Sequence, residues 1–188
     1  GKSVASQALA TRLCAIRLSS DTERKRAHPF APPDHHALPA IAYSRKAVDS
    51  HYDALLAITR RVLEAGYPVL VDATFLKQRH RVSFIELACA FDVPVFLLDF
   101  HTSVRQLAER VRKRAMDPGQ SSDADAAVLV RQLANEEPLT PDEAALTVAF
   151  DTDVPLGAFQ RATYWKPLLI RLHPETPVEH AVRSDTTH

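Results

Sequence analysis

The chain has 188 residues, of which 46% are hydrophobic and 24% are charged, with 23 basic side chains balancing 23 acidic ones. This composition excludes wholesale disorder, and the length fits one domain with its own core. The zero net charge argues against a protein that coats nucleic acid, because such proteins carry a basic excess. The sequence has no run of about 18 apolar residues to cross a membrane. Its two cysteines, Cys14 and Cys89, have no metal-ligand spacing, which favours a reduced chain in the cytoplasm.

Hydrophobic periodicity predicts helices and strands that alternate along the chain. The predicted helices are 3–13, 43–64, 77–91, a segment around 104–111, and 122–133, and the predicted strands are 15–18, 69–71, 93–100 and 146–150. Gly66 follows the longest helix, where a left-handed cap residue is expected. The runs at 69–71 and 93–100 are continuously apolar, which is typical of strands buried on both faces of a parallel sheet. The pattern therefore predicts an α/β fold with a mostly parallel sheet.

The chain begins with Gly1-Lys2-Ser3, directly before a predicted helix. These residues match the end of a phosphate-binding P-loop, whose lysine reaches the β- and γ-phosphates and whose hydroxyl ligates Mg²⁺. Such a tripeptide also arises by accident or from a tag, but its place before a helix in an α/β chain favours the P-loop. The strand and loop that precede the motif are not in the sequence. We therefore expect the first strand and the front of the P-loop to be missing from this chain, which would continue a longer protein.

Acidic residues follow two of the predicted strands, at the sheet edge where α/β proteins bind ligands. Asp21 can accept a proton from an attacking hydroxyl while Arg24 holds a phosphate or the acceptor; the alternative is a capped helix start with a charged first turn. Asp72 ends the apolar run 69–71, which is the Walker-B position that supports Mg²⁺. The alternative for Asp72 is an aspartate that simply ends a strand.

A basic cluster stands out in a chain whose charges otherwise balance. Residues 105–114 carry a net charge of +4, and Arg110 and Arg114 lie four residues apart on one helical face. A charge run is commonly a solvated surface. Because a hinge-like loop at 117–122 follows, we predict a helical lid over about residues 105–135, whose arginines approach a transferring phosphoryl group.

Taken in order, these motifs resemble those of one family. They are GKS before a helix, SDTERKR at 20–26, AGYPVLVDATF at 65–75, VPVFLLDF at 93–100, SSDAD at 121–125 and NEEPL at 135–139. The set resembles the P-loop kinase-like ATP-binding domain of the AAA domain 33 type, as in the C-terminal half of bifunctional aminoglycoside phosphotransferase/ATP-binding proteins. That group is related to zeta toxins, gluconate kinases and polynucleotide 5′-hydroxyl kinases. The resemblance covers residues 1–153, and we expect 154–188 to be a C-terminal extension of unclear structure.

The resemblance implies a three-layer P-loop NTPase of the nucleotide-kinase type that uses ATP and Mg²⁺. By this resemblance, Gly1, Lys2, Ser3 and Arg110 would bind the nucleotide. Ser3 and Asp72 would bind or support the metal. Because the front of the P-loop is missing, the segment alone is expected to bind ATP poorly.

The resemblance further implies an ATP-dependent kinase that transfers the γ-phosphoryl group to a hydroxyl of a small molecule. Asp21 would act as the general base and Arg24 would orient the acceptor or the phosphate. Lys2, Arg110 and Arg114 would balance the charge of the transferred group.

Two alternatives remain open at this point. One is an ATP-binding or ATPase module that regulates a fused N-terminal phosphotransferase domain without phosphorylating a substrate. The other is an activity like that of zeta toxins or polynucleotide kinases.

The sequence predicts no membrane partner and argues against nucleic acid. Residues 151–153 fall where the family contacts adenine.

Overall fold

The computed structural model describes residues 2–27, 44–101 and 136–173. Its helices are α1 (Lys2–Arg12), α2 (Ser20–Ala27), α3 (Arg45–Glu64), α4 (Gln78–Ala90), α5 (Pro141–Leu146) and α6 (Ala162–Leu172). Its strands are β1 (Ile16–Ser19), β2 (Val69–Asp72), β3 (Leu97–His101) and β4 (Thr147–Asp151), and a 3₁₀ helix (Leu156–Gln160) precedes α6. Helices and strands alternate as predicted. The predicted lid and its two helices lie outside the described residues.

The strands pair in parallel. β1 pairs with β2, with Ser19 opposite Asp72, and β3 pairs with β4, with His101 opposite Asp151. The prediction of an α/β fold with parallel strands is confirmed. Within the three described ranges the strands form two separate pairs rather than one continuous sheet.

The strands β2 and β3 are less buried than the sequence predicted. Their apolar runs indicated burial on both faces, whereas every residue of β2, and every residue of β3 before His101, is only half-buried. A strand is fully covered when it has neighbours on both edges and helices on both faces. In the described part of the chain each of these strands has one neighbouring strand, which explains the remaining exposure.

Helix α1 joins the two strand pairs through one buried face. Ala5 and Leu9 are completely buried, in a cluster that includes Val148 of β4. Leu70 of β2 and Leu98 of β3 pack against the same cluster. Because α1 begins at Lys2, this packing fixes the start of the helix relative to the carboxyl ends of the strands.

Residues 156–172, in the segment predicted to be of unclear structure, complete the same core. Phe159, Trp165 and Leu168 are all buried, and the Trp165 Nε1–H donates to the Phe159 carbonyl at 2.8 Å. The 3₁₀ helix is only five residues long and α6 contains Pro167, so neither element gives a long periodic signal. The described part of the extension is therefore packed on the domain core.

Local capping signals explain where two helices begin and end. Ser44 caps α3 by accepting from the Ala47 N–H at 3.3 Å, and Gly66, with φ of +80°, follows its end as predicted. The sequence analysis missed α5, although Thr140 and Glu143 form a capping box around it. None of the helices in the described ranges is long and apolar enough to cross a membrane.

Candidate functional site

The start of α1 meets the end of β2. Lys2 is the first residue of α1, and its Nζ donates to the Ala73 carbonyl at 3.2 Å and lies 3.6 Å from Asp72 Oδ1. Ser3 follows in the same helical turn and is exposed. The structure thus brings Lys2 and Asp72 together at the beginning of a helix, where backbone N–H groups favour an anion.

Asp72 is enclosed by side chains from two other elements, α1 and β1. Its side chain is 6% exposed, and Oδ2 accepts hydrogen bonds from Arg17 Nη2 at 2.5 Å and Ser6 Oγ at 2.8 Å. Burial raises the pKa of Asp72, but the hydrogen bonds from Arg17 and Ser6 and the charge of Lys2 hold that pKa below its ordinary value. Asp72 is therefore ionised at neutral pH.

Asp21 and Arg24 lie on α2, which begins directly after β1. Asp21 accepts from Arg24 and Lys25, each at 2.8 Å, and its side chain is 55% exposed. The hydrogen bond from Lys25 lowers the pKa of Asp21 most, burial raises it, and Arg24 lowers it further. The geometry matches the charged first turn of a helix, and it leaves an ionised carboxylate open to solvent.

Two clusters of ion-paired side chains therefore lie near the carboxyl ends of the neighbouring strands β1 and β2. The β2 cluster contains Lys2, Arg17 and Asp72, whereas the β1 cluster joins Asp21 to Arg24 and Lys25 within α2. The register sets them at the same edge, because Ser19 lies opposite Asp72. The candidate functional site is therefore the edge formed by the carboxyl ends of β1 and β2.

Three of the predicted site residues, Gly1, Arg110 and Arg114, lie outside the described residues. The loop at 151–153 is described, and the Thr152 hydroxyl ties it to β3 by donating to the His101 carbonyl at 2.8 Å. Across the described ranges, no group of three His, Cys, Asp or Glu side chains could hold a metal ion. A metal at this edge would therefore need oxygen ligands from a hydroxyl, from water or from substrate phosphates, as Mg²⁺ commonly has.

Two neighbouring residues of α3 contact the ends of β1 and β2. His51 Nε2 lies 3.0 Å from Ser20 Oγ, and the Tyr52 hydroxyl accepts the Phe75 N–H at 3.0 Å. Phe75 has φ of +48°, in the left-handed region that non-glycine residues rarely adopt. Residue Phe75 belongs to the β2 loop, defined here as residues 73–77, and α3 thus helps to hold this loop.

A buried arginine holds the β2 loop from α4. Arg81 donates from Nε and Nη2 to the two carboxylate oxygens of Glu143, at 2.8 and 3.0 Å. Its Nη1 donates to the carbonyls of Phe75 and Glu137 at 3.0 and 3.1 Å, and Nη2 also donates to that of Pro138 at 3.2 Å. The hydrogen bond from Arg81 is the largest cause of the lowered pKa of Glu143, ahead of the opposing effect of burial.

Sequence reasoning missed Ser6, Arg17, Tyr52 and Arg81. Ser6 follows Lys2 by four residues and so shares its helix face, and Arg17 interrupts an otherwise apolar strand. Those two signals were present in the sequence. Tyr52 and Arg81 occupy ordinary positions of amphipathic helices, and only their partners distinguish them.

The fold and this edge define a class of protein. A parallel α/β sheet, a Lys-Ser pair at the start of the first helix and an aspartate at the end of an adjacent strand are features of P-loop kinase-like domains. The model of the AAA_33 family, described as an AAA domain, matches residues 1–139. The chain belongs to this family.

Two solved structures have a similar fold. A gluconokinase from Sinorhizobium meliloti 1021 is 23% identical, with a TM-score of 0.56, and the match covers 90% of this chain and 86% of that one. A sugar kinase from Janibacter sp. HTCC2649, in an unliganded structure, is 18% identical with a TM-score of 0.60, and the match covers 93% and 91%. No curated protein matches the sequence significantly. At these identities the likeness establishes the fold.

Proposed function

We propose that this domain is an ATP- and Mg²⁺-dependent phosphotransferase that acts on a hydroxyl of a small molecule. The observation that carries the proposal is the contact between Lys2, at the start of α1, and Asp72, at the end of β2. Membership of the AAA_33 family supports the proposal, as does the similarity in fold to a gluconokinase and a sugar kinase.

The residues at the start of α1 fit a nucleotide phosphate. Lys2 keeps 43% of its side chain exposed, so its ammonium group can reach an anion outside the protein. The first-turn N–H groups of α1 have no partners within the helix and favour negative charge. Ser3 offers a hydroxyl beside them as a metal ligand, while Asp72 supports the metal. When bound, ATP supplies the phosphoryl group and Mg²⁺ neutralises its charge.

The chain's own contribution would consist mainly of position and charge. Asp21 would orient the acceptor hydroxyl and take its proton as the acceptor oxygen bonds to the γ-phosphorus, whose bond to the bridging oxygen breaks to release ADP. A carboxylate with a lowered pKa is a weak base, but phosphoryl transfer needs little proton abstraction before its transition state. Arg24 would hold the acceptor or the phosphate, and Arg110 and Arg114 of the proposed lid would balance the charge of the moving group.

A further strand between β2 and β3, in addition to the four strands of the described residues, would complete the phosphate site. Each of these strands has one described neighbour and is half-buried, and α1 packs against Leu70 and Leu98 of both. We expect ATP affinity to rise when an apolar strand and a G-x-x-x-x loop are joined in front of Gly1. A flexible Gly/Ser extension of the same length is the control. Equal affinity in the two fusions would contradict this arrangement.

The test of the catalytic assignment is Asp21→Asn. Transfer to the acceptor should fall by about 10²- to 10⁴-fold, the usual contribution of a general base, while ATP affinity stays nearly unchanged. Glu23→Gln is the matched control, because it removes a carboxylate that pairs with Arg26 on the same helix. Normal transfer by Asp21→Asn would show that another group accepts the proton.

The second candidate function is a nucleotide-sensing module within a larger protein, with an N-terminal phosphotransferase domain as its fused partner. The ion pairs of Asp21 with Arg24 and Lys25 on an exposed helix also fit this alternative, because such pairs occur without any catalytic role. A sensor would bind ATP and hydrolyse it slowly, and Asp21→Asn would change neither property. A kinase would consume ATP faster with one member of a panel of sugars, sugar acids and other small alcohols, and that rate would depend on Asp21.

A further inference from the structure

The carboxylate of Asp72 has two cations near it, and they contact different oxygens. Arg17 binds Oδ2 at 2.5 Å, whereas Lys2 stands 3.6 Å from Oδ1. Ser6 donates to Oδ2 as well, at 2.8 Å. A buried carboxylate needs such partners, because an uncompensated charge in the interior is strongly destabilising. Arg17 and Ser6 therefore already provide most of the charge compensation and hydrogen bonding that the carboxylate of Asp72 needs.

Arg17 is held in place by its position on the sheet and by a second contact. Its pairing partner on β2 is Leu70, so Asp72 is the diagonal neighbour on the same face of the sheet. Its Nε donates to Ser6 Oγ at 2.8 Å while Nη2 reaches Asp72. A guanidinium can bridge both groups because its donors are spread over a rigid plane, which a lysine ammonium cannot reproduce.

We propose that Arg17 is a positioning residue. Because Arg17 serves as the main counter-ion and hydrogen-bond donor of Asp72, Lys2 remains available for a phosphate. Without Arg17, the nearest cation to Asp72 is Lys2, whose Nζ needs to move by only about 1 Å to form a charge-assisted hydrogen bond. Lys2 would then be the counter-ion of Asp72 and would no longer reach outward. The consequence for ATP rests on the proposed function, whereas the exchange of partners at Asp72 does not.

The exchange of partners is tested by unfolding, without any nucleotide. Lys2→Met is made in the parent chain and in Arg17→Met, and urea midpoints are measured by circular dichroism. We expect Lys2→Met to lower the urea midpoint slightly in the parent, where Lys2 is half-exposed. In Arg17→Met the same substitution should lower the midpoint several-fold more, because Asp72 then depends on Lys2 as its counter-ion. Asp72→Asn should remove the difference.

Equal shifts in the two backgrounds would overturn the proposal. Arg17→Gln keeps an N–H donor for Asp72 while it removes the charge, and it provides the same comparison if Arg17→Met does not fold. Arg12→Met is the matched control, because Arg12 lies on α1 but donates to the Gln160 carbonyl rather than to Asp72.

The consequence for ligand binding is tested by calorimetry with ATP in the presence of EDTA, in the fusion that carries the apolar strand and the G-x-x-x-x loop in front of Gly1. Arg17→Met should bind ATP about tenfold more weakly, which corresponds to one charge-assisted hydrogen bond. The double variant Arg17→Met/Asp72→Asn should recover most of the affinity because Lys2 is released. Affinity that is unchanged in Arg17→Met would contradict the proposal. If the fusion with the added strand and loop binds no ATP, the proposed function fails, and the unfolding comparison still decides the role of Arg17.

Discussion

Two arginine–carboxylate pairs flank the β2 loop, and they differ in their surroundings. The side chains of Arg81 and Glu143 are 4% and 3% exposed, and Arg81 uses all three of its nitrogens on internal acceptors. The side chain of Asp72 is 6% exposed, but its partner Arg17 is 21% exposed and Lys2 beside it 43%. The pair of Arg81 and Glu143 is thus shielded from solvent and is called the closed pair here. The pair of Arg17 and Asp72 borders solvent and is called the open pair. We expect loss of one partner of the closed pair to destabilise the fold, whereas the open pair is suited to meet a ligand.

The β2 loop connects the two pairs. Its first residue, Ala73, accepts from Lys2 through its carbonyl, and its third, Phe75, accepts from Arg81 through its own. The closed pair therefore anchors the loop that follows Asp72, and substitutions in that pair and in Tyr52 show how firmly the loop is held.

The largest expected effect is the loss of the closed pair. Arg81→Met should lower the free energy of unfolding by about 3–5 kcal/mol, because it leaves Glu143 buried without a counter-ion. Urea unfolding measures the change. The control is Arg79→Met, which removes a more exposed arginine of α4 paired with Asp49 and should cost no more than about 1 kcal/mol.

A second substitution makes the assignment sharper. Adding Glu143→Gln to Arg81→Met removes the uncompensated charge and should recover part of the lost stability. If Arg81→Met costs no more than Arg79→Met, the closed pair does not stabilise the fold.

The next effect is the acid sensitivity of the closed pair. The pKa of Glu143 is lower in the folded protein than its unfolded value of about 4.3. Its contribution to stability is therefore complete above that pH and is lost as the pH falls through the folded pKa. Glu143→Gln should be less stable than the parent at pH 7, and the difference should shrink as the pH falls below about 4.

The measurement is a series of urea midpoints between pH 7 and pH 3. Glu64→Gln, at the exposed end of α3, is the control for removing one carboxylate. A difference between Glu143→Gln and the parent that stays constant with pH would mean that the charge of Glu143 contributes nothing to folding.

Much of the fold was predictable because its signals are local. Several signals lie within the elements that they define or next to them. They are the apolar residues at helical spacing along α3, the cap at Gly66 and the apolar run before Asp72. The meeting of Lys2 with Asp72 was also accessible, because it follows from the order of elements in a parallel α/β fold. The features within α3, at Gly66 and before Asp72 needed no knowledge of distant partners.

The rest depends on contacts between residues far apart in the sequence. Arg81 and Glu143 are separated by 62 positions, and Arg17 and Asp72 by 55. In a single sequence each of these residues resembles an ordinary solvated charge. The helix α6 was missed for a related reason, since its buried Trp165 and Leu168 are recognisable as core only once α1 and β4 pack against them.

The smallest expected effect concerns the loop between the two pairs. Tyr52→Phe removes the hydroxyl that accepts the Phe75 N–H, at a residue whose positive φ already costs about 1–2 kcal/mol. The free energy of unfolding should fall by about 1 kcal/mol. Exchange of the Phe75 amide hydrogen should also become faster, as followed by NMR. The control is Tyr67→Phe, since Tyr67 is 55% exposed and far less enclosed than Tyr52.

The outcome of Tyr52→Phe decides whether the closed pair alone holds the loop. Arg81 binds the Phe75 carbonyl and Tyr52 binds its amide, so both sides of one strained residue are restrained. If the amide exchanges at the parent rate in Tyr52→Phe, Arg81 is sufficient and the loop belongs to the closed pair. If exchange accelerates without a change in the global unfolding midpoint, the loop opens locally. The open pair at Asp72 would then adjoin a segment that moves separately from the fold.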